Sequence, residues 1–362
     1  MSAPGTLHDE YGATYHEIGE RRVVAHYGNP EREHLAVRNG VGVIEHPHDI
    51  VVVSGNDRVE YVDNAVSNAV SAAPGSGVYA VLLTPKGRVR MDLYVYTAED
   101  RLLLFLPPGH AEALITDWRE KVFIQDVAFE DATDDYRIFG VHGPDAVQKL
   151  ESVLADASVP DDRLSFTAGV IEDAGVSVIR TDSLTGETGV QVVCATYDAP
   201  VVMETLLTRG LQAVPFGYHT WETLTLEAGT PLFETEIEGA IPNVLGLRVA
   251  LDFDKGCYVG QEVVSRIENR GRPSQRLVGL TLEELPSPAA EVFAECDHIG
   301  HITRAAYSPS LEVPLALGII PFDCEATKVT VESDSEQTAG QVRSLPFVEG
   351  SAGSARLPNY PD

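Results

Sequence analysis

The sequence predicts an α+β fold: a mixed N-terminal body followed by a small antiparallel β-barrel domain. Three observations carry this. Strand-like and helix-like segments alternate irregularly through the first three-quarters of the chain. From Leu277 onward the apolar runs have strand length and no helical period interrupts them. Between the two regions, Arg272-Pro273-Ser274 marks a boundary. Residues 1–272 are therefore read as the body, 273–348 as the barrel, and the Gly, Ser, Ala and Pro rich stretch 349–362 as a frayed tail.

The elements follow in order. Val51-Val52-Val53 is a short strand ending at Gly55, and Val59, Val62, Val66 and Ala69 keep helical spacing behind Asp57, a predicted N-cap. Val78–Thr84 and Val89–Tyr96 flank Pro85-Lys86-Gly87-Arg88 and read as a hairpin. On its second strand, Val89, Met91, Leu93 and Val95 share one face, and Arg90, Asp92, Tyr94 and Tyr96 the other. Leu102–Leu106 is a strand, and Ala111, Leu114, Ile115, Trp118 and Val122 mark one helix face. Arg137–Val141 is a strand; Gly143-Pro144 then opens a helix carrying Val147, Leu150 and Leu154. Val176–Arg180 and Val190–Val193 are strands around a glycine-containing loop, and a helix from Asp198 to Arg209 closes on Gly210. The barrel strands are Leu277–Leu282, His298–Ala306, Leu315–Ile320, Lys328–Val331 and Gln341–Ser344.

Composition bounds the function. Among 362 residues, 55 acids face 26 bases, a net charge of −29, with 44% hydrophobic residues. That excludes a disordered acidic tail and argues against nucleic acid or an anionic membrane bound through bulk charge. Only five bases are lysine (Lys86, Lys121, Lys149, Lys255, Lys328). An acid-rich, lysine-poor surface over an ordinary core suits a cytosol at molar salt, so the chain reads as haloadapted. Cys194, Cys257, Cys296 and Cys324 form no CxxC pair, and neither a signal peptide nor a membrane-spanning apolar run is present; a cytoplasmic protein is expected.

The richest segment chemically is Lys255-Gly256-Cys257-Tyr258-Val259-Gly260-Gln261-Glu262. Its glycines permit close backbone approach to a ligand, and a neighbouring lysine lowers a thiol pKa. It reads equally as a glycine turn holding an inert cysteine. This octet resembles the signature of the YgfZ-type folate-binding proteins, relatives of the glycine-cleavage T-protein (GcvT), the aminomethyltransferase. Other stretches are similar to that superfamily in the right order: Arg180-Thr181 with Thr185-Gly186-Glu187-Thr188-Gly189, Leu226-Glu227-Ala228-Gly229 with Pro231-Leu232, His298–Thr303 with Tyr307-Ser308-Pro309, and Leu345-Pro346-Phe347.

The resemblance implies three subdomains, two of them interleaved within residues 1–272, ringed around a tetrahydrofolate site that takes a 5,10-methylene or 5-formyl form. It implies folate-dependent support of iron–sulfur proteins, with those proteins as partners, or alternatively a tetrahydrofolate-dependent aminomethyl or methyl transferase, or a scaffold that kept the fold without the ligand. One carboxylate can accept the paired N–H groups of a pterin, and Glu187 matches the pterin-binding position, with Glu227 a second candidate. Arg180, Lys255, Gly256, Tyr258, Gly260 and Gln261 occupy matching motif positions and complete the implied folate-binding set. Asp92 matches an acid held to face the reacting folate nitrogen; on residues alone it reads equally as the partner of Arg90 on a solvated face. Cys257 is the candidate reactive thiol. Arg266, with Arg270, Arg272 and Arg276, is placed to grip the glutamate tail of folate, or else to pair with nearby acids.

Departures from the two patterns are also legible. Trp221 and Glu222 stand where the T-protein has arginine and aspartate, the Lys-Gly-Cys motif is foreign to the T-protein, and Asn243-Val244 replaces a glutamine–glutamate pair usual in the YgfZ type. No metal site is expected: Cys296-x-His298-x2-His301 and His46-Pro47-His48 are weak ligand patterns, and Gly40-Val41-Gly42 lacks the rest of a dinucleotide fingerprint.

Overall fold

The computed structural model describes residues 5–19, 21–287, 289–333 and 336–361. Two sheets build the body. A seven-stranded sheet runs in the order Leu154–Ala155, Phe166–Ile171, Ala174–Arg180, Gly189–Ala195, Tyr136–His142, Gly42–His46, Val214–Pro215. A five-stranded sheet runs Ser76–Leu83, Val89–Thr97, Arg101–Leu106, Asp49–Ser54, Ala128–Asp131. A two-stranded ribbon, Thr14–Ile18 with Arg21–His26, forms a third, separate sheet whose Val23 packs with Ile44. Neighbouring strands are antiparallel except Val214–Pro215, which pairs parallel with Gly42–His46. The chain crosses from one sheet to the other at His46-Pro47-His48.

Each sheet buries one face under helices. Val51, Val53, Leu93, Val95 and Leu104 pack against Val62 and Val66 of the first helix region and Leu114, Ile115 and Trp118 of the second. Phe139, Val141, Val178 and Val192 pack against Val202, Met203 and Leu206. The other face of the five-stranded sheet packs Tyr79, Tyr94, Tyr96 and Phe105 onto a central core that also takes Leu226, Phe233, Leu277, Leu315 and Leu317. That core joins the body to the barrel.

The barrel is closed by six antiparallel strands, in agreement with the expected C-terminal domain. Its short strand Glu291–Ala294 has no separate signature in the sequence, because four residues give period-2 alternation too little length. The Asp57 cap is corrected: its side chain makes no cap bond to the helix Arg58–Ala65 and instead accepts the Asp126 N–H at 2.7 Å. The helix after Gly143-Pro144 ends at Glu151, and Leu154 belongs to a strand. The frayed tail is also corrected. Ser351 N bonds Glu187, Ala355 N bonds Asp182 O at 3.0 Å, Asn359 N bonds Gly246 O at 2.9 Å, and the Tyr360 hydroxyl bonds Val244 O at 2.8 Å. Small residues there keep the segment thin enough to lie across the body, rather than leaving it loose.

Candidate active site

A cavity opens between the sheet crossing, the helix Tyr218–Glu227, the loop after it, the barrel and the C-terminal segment. Asp92 lines it and is 5% exposed. It sits there because the hairpin is bulged. Leu82 pairs with Met91 but Leu83 pairs with Val89, so Arg90 is skipped in the ladder. Val89 joins the face of Asp92 and Tyr94, while Arg90 is carried outward to within 3.6 Å of Asp117. The expected Arg90–Asp92 pairing is thereby replaced. The Tyr79 hydroxyl donates to Asp92 Oδ2 at 2.8 Å, and Arg356 Nη1 lies 3.0 Å from the same oxygen. Arg356 Nη2 donates to Tyr94 Oη at 2.8 Å, and the Tyr94 hydroxyl donates to Asp182 Oδ2 at 3.0 Å. Burial pushes both phenols well above their ordinary range, so they remain donors.

Histidines form a second wall. Trp221 meets His46 edge-on at 4.8 Å and His142 at 5.3 Å. Burial holds His46 well below its ordinary value, His48 down to about 4 and His142 down to about 3, so all three are neutral at pH 7. His46 Nε2, His48 Nδ1 and both ring nitrogens of His142 are buried without a hydrogen-bond partner. The Nε2 atoms of His46 and His142 lie against Gly140, where a Cβ would come within 2.6 Å and 2.5 Å of them, so these rings pack behind the wall. Glu222 and Arg304 also line the cavity. Arg304 reaches in from the barrel, donating to Thr225 Oγ1 at 2.9 Å and Thr230 O at 2.7 Å.

Of the expected folate-binding and catalytic residues, Asp92 reaches this cavity and the others do not line it, whereas Trp221, Glu222, His46 and His48, noted in the sequence for other reasons, do. Glu187 and Glu227, the expected pterin acceptors, lie buried outside the cavity lining with protein donors on their oxygens. Glu187 accepts Arg38 Nη1 at 2.7 Å, Ser351 N at 2.8 Å and Ser351 Oγ at 2.5 Å. Glu227 is fully buried and takes Arg38 Nη2 at 2.7 Å, Ser308 Oγ at 2.5 Å and Ser310 Oγ at 3.1 Å, with His34 Nε2 at 2.9 Å. Burial by itself would raise the Glu227 carboxyl; the His34 bond, the nearby charges of His34 and Arg38, and the Ser308 bond outweigh it and bring it down to about 2. Arg180 lies at a strand end beside the lining residues Thr181 and Asp182 without joining them.

The octet that carries the resemblance is a packing device. Lys255 Nζ donates to Asp63 O at 2.6 Å, Val66 O at 3.0 Å and Asn68 O at 2.9 Å, closing the carboxyl end of the helix Arg58–Ala65. Its ammonium is therefore committed to that helix. Gly256 and Cys257 are exposed, and Tyr258 is buried with its ring 5.8 Å from Lys255 Nζ. Gly260 has φ +84°, and a Cβ there would meet Thr84 O at 2.6 Å and Gly87 Cα at 3.2 Å, so the two glycine turns lock together. Gln261 Nε2 reaches Lys255 O at 3.4 Å. Arg266 is exposed on the following helix, Arg272 pairs with Asp323 at 2.5 Å, and Arg276 donates to Cys324 O at 3.0 Å. Among the described residues no group of three or more His, Cys, Asp or Glu could hold a metal ion.

No sequence motif marks Arg38, His142, Arg304 or Arg356. Arg356 had one available signal, a lone guanidinium in a stretch of small residues.

Comparison with known proteins places this geometry. Residues 6–255 match the GCVT N-terminal domain, and residues 275–349 match the glycine cleavage T-protein C-terminal barrel domain. The aminomethyltransferase of Halalkalibacterium halodurans is 28% identical over 94% of this chain and 96% of its own length. The probable aminomethyltransferase of Natronomonas pharaonis is 30% identical, over 94% and 97%. The crystal structure of glycine cleavage system aminomethyltransferase T from Bartonella henselae shares the fold, with a TM-score of 0.83 over 99% of this chain and 98% of that one at 22% identity. The chain thus belongs to the glycine cleavage T-protein family, with both its N-terminal domain and its C-terminal barrel.

Proposed function

We propose that the protein is a tetrahydrofolate-dependent one-carbon transferase of the aminomethyltransferase type, acting in the cavity that Asp92 lines. The observation that carries this reading is a nearly buried carboxylate, held by Tyr79 and Arg356, in a cavity lined by aromatic rings. A pterin is flat with a polar edge. Phe105, Phe233 and Trp221 offer apolar ring surface, and Asp92 offers a carboxylate to such an edge. Bound there, tetrahydrofolate supplies the nitrogen that receives the one-carbon unit. Asp92 is the acceptor for the proton that this nitrogen must lose, and the surrounding burial excludes water that would compete for the carbon. Glu222, at the mouth, is a carboxylate available to an incoming ammonium group.

The relatives named aminomethyltransferase support this reading over a YgfZ-type role in iron–sulfur protein maintenance. The second reading rests on one feature, the exposed Cys257 beside Gly256. Full complementation of a deletion strain by Cys257→Ala would remove it. The primary test is formation of 5,10-methylene-tetrahydrofolate and ammonia from an aminomethyl-lipoyl donor in molar KCl, with calorimetry of 5-formyl-tetrahydrofolate alongside. Product and a binding heat are expected; absence of both refutes the reading.

A further inference from the structure

Arg356 lies beyond residue 349, where the matched barrel domain ends, yet it is a cavity residue that is 5% exposed. Its guanidinium stacks over Tyr79, with Cζ 4.0 Å from the ring centroid. Its two terminal nitrogens are divided between Asp92 Oδ2 and Tyr94 Oη. Tyr79 and Arg356 both end on Oδ2, and among the described residues no donor is bonded to Oδ1. The carboxylate is thus held in one rotamer with its second oxygen left for a ligand.

The segment bearing Arg356 is fastened upstream and downstream. Ser351 gives its N–H and hydroxyl to Glu187, and Gly350 lies so close that a Cβ would meet Gly186 O at 2.1 Å. Thr230 Oγ1 bonds Ser354 Oγ at 2.7 Å, and Tyr360 is held between Leu277 N and Val244 O. This gives Glu187 a role as the latch of the segment.

We propose that Arg356 is the positioning residue for Asp92, and that segment 349–361 is a working part of the active site rather than a tail. The inference rests on the transferase reading above. Arginine is required because a planar fork spans Asp92 and Tyr94 at once, whereas a lysine ammonium is a single point.

The experiment compares full-length wild type, Arg356→Met and Arg356→Lys in molar KCl by transfer kinetics and 5-formyl-tetrahydrofolate calorimetry. Arg356→Met is expected to lose about 100-fold in kcat with KM and folate affinity within about threefold, the pattern of a misaimed group. Added guanidinium ion is expected to restore a large part of the loss. Arg356→Lys, which keeps the buried charge, is expected to lose at least about 10-fold in kcat and serves as the deciding variant should Arg356→Met fail to fold. Activity of Arg356→Lys within about threefold of wild type overturns the inference, as does a loss in folded Arg356→Met that guanidinium leaves unchanged. A wild type that neither binds folate nor transfers overturns the transferase reading and this inference together.

Discussion

Glu227 makes the buried acid network a source of pH-dependent stability whose size follows from the structure. Its carboxyl is fully buried and lies at about 2 in the folded chain, against an ordinary 4.5. The drop from 4.5 to about 2 corresponds to about 3 kcal/mol. The sign follows from the direction. A depressed carboxyl contributes its full stabilisation above the unfolded value, and the contribution is lost as pH falls from about 4.5 to about 2. Glu227→Gln removes this titration and leaves Arg38 with Glu187 as its one ionic partner. The variant should be less stable than wild type by about 3–5 kcal/mol at pH 6. The gap should narrow by about 3 kcal/mol by pH 2, because wild type then loses what the variant never had. The assay is denaturant unfolding of both proteins across pH 2–6 in molar KCl; other acids titrate in both chains and cancel in the difference. Burial limits salt screening of this group, so molar KCl should not erase the effect. A stability gap that stays constant across that range would refute the argument.

Two further outcomes are expected. Gly260→Ala places a side chain at φ +84° and 2.6 Å from the Thr84 carbonyl, and should lower stability by about 2 kcal/mol or more, read from denaturant midpoints; an unchanged midpoint would show that the two glycine turns do not lock. The chain carries −29 net charge, so its melting temperature should rise from low-salt buffer to molar KCl as the screening length falls to about 3 Å; a flat profile would sink the haloadapted reading.

Local chemistry is what the sequence determined. Alternating apolar residues with Pro85 and Gly87 specified the hairpin that carries Asp92, and strand-length runs after Leu277 specified the barrel. Ordered motifs pointed to the family, although the most specific of them turned out to pack turns and close a helix rather than to line the cavity. Motif position alone could not separate an acid that meets a ligand from one satisfied within the protein. Glu187 and Glu227 match ligand positions by motif, yet in the fold both pair with Arg38, which no motif marks. The faces of the Asp92 strand were legible except where one bulged residue exchanged Val89 for Arg90. What only the tertiary structure decided is the site itself. Asp92, His142, Trp221, Arg304 and Arg356 come from separate segments, and they meet because two sheets, a barrel and a returning segment bury a shared core. Side-chain periodicity encodes which face of an element is buried, but the neighbours on that face are set by packing between elements distant in sequence.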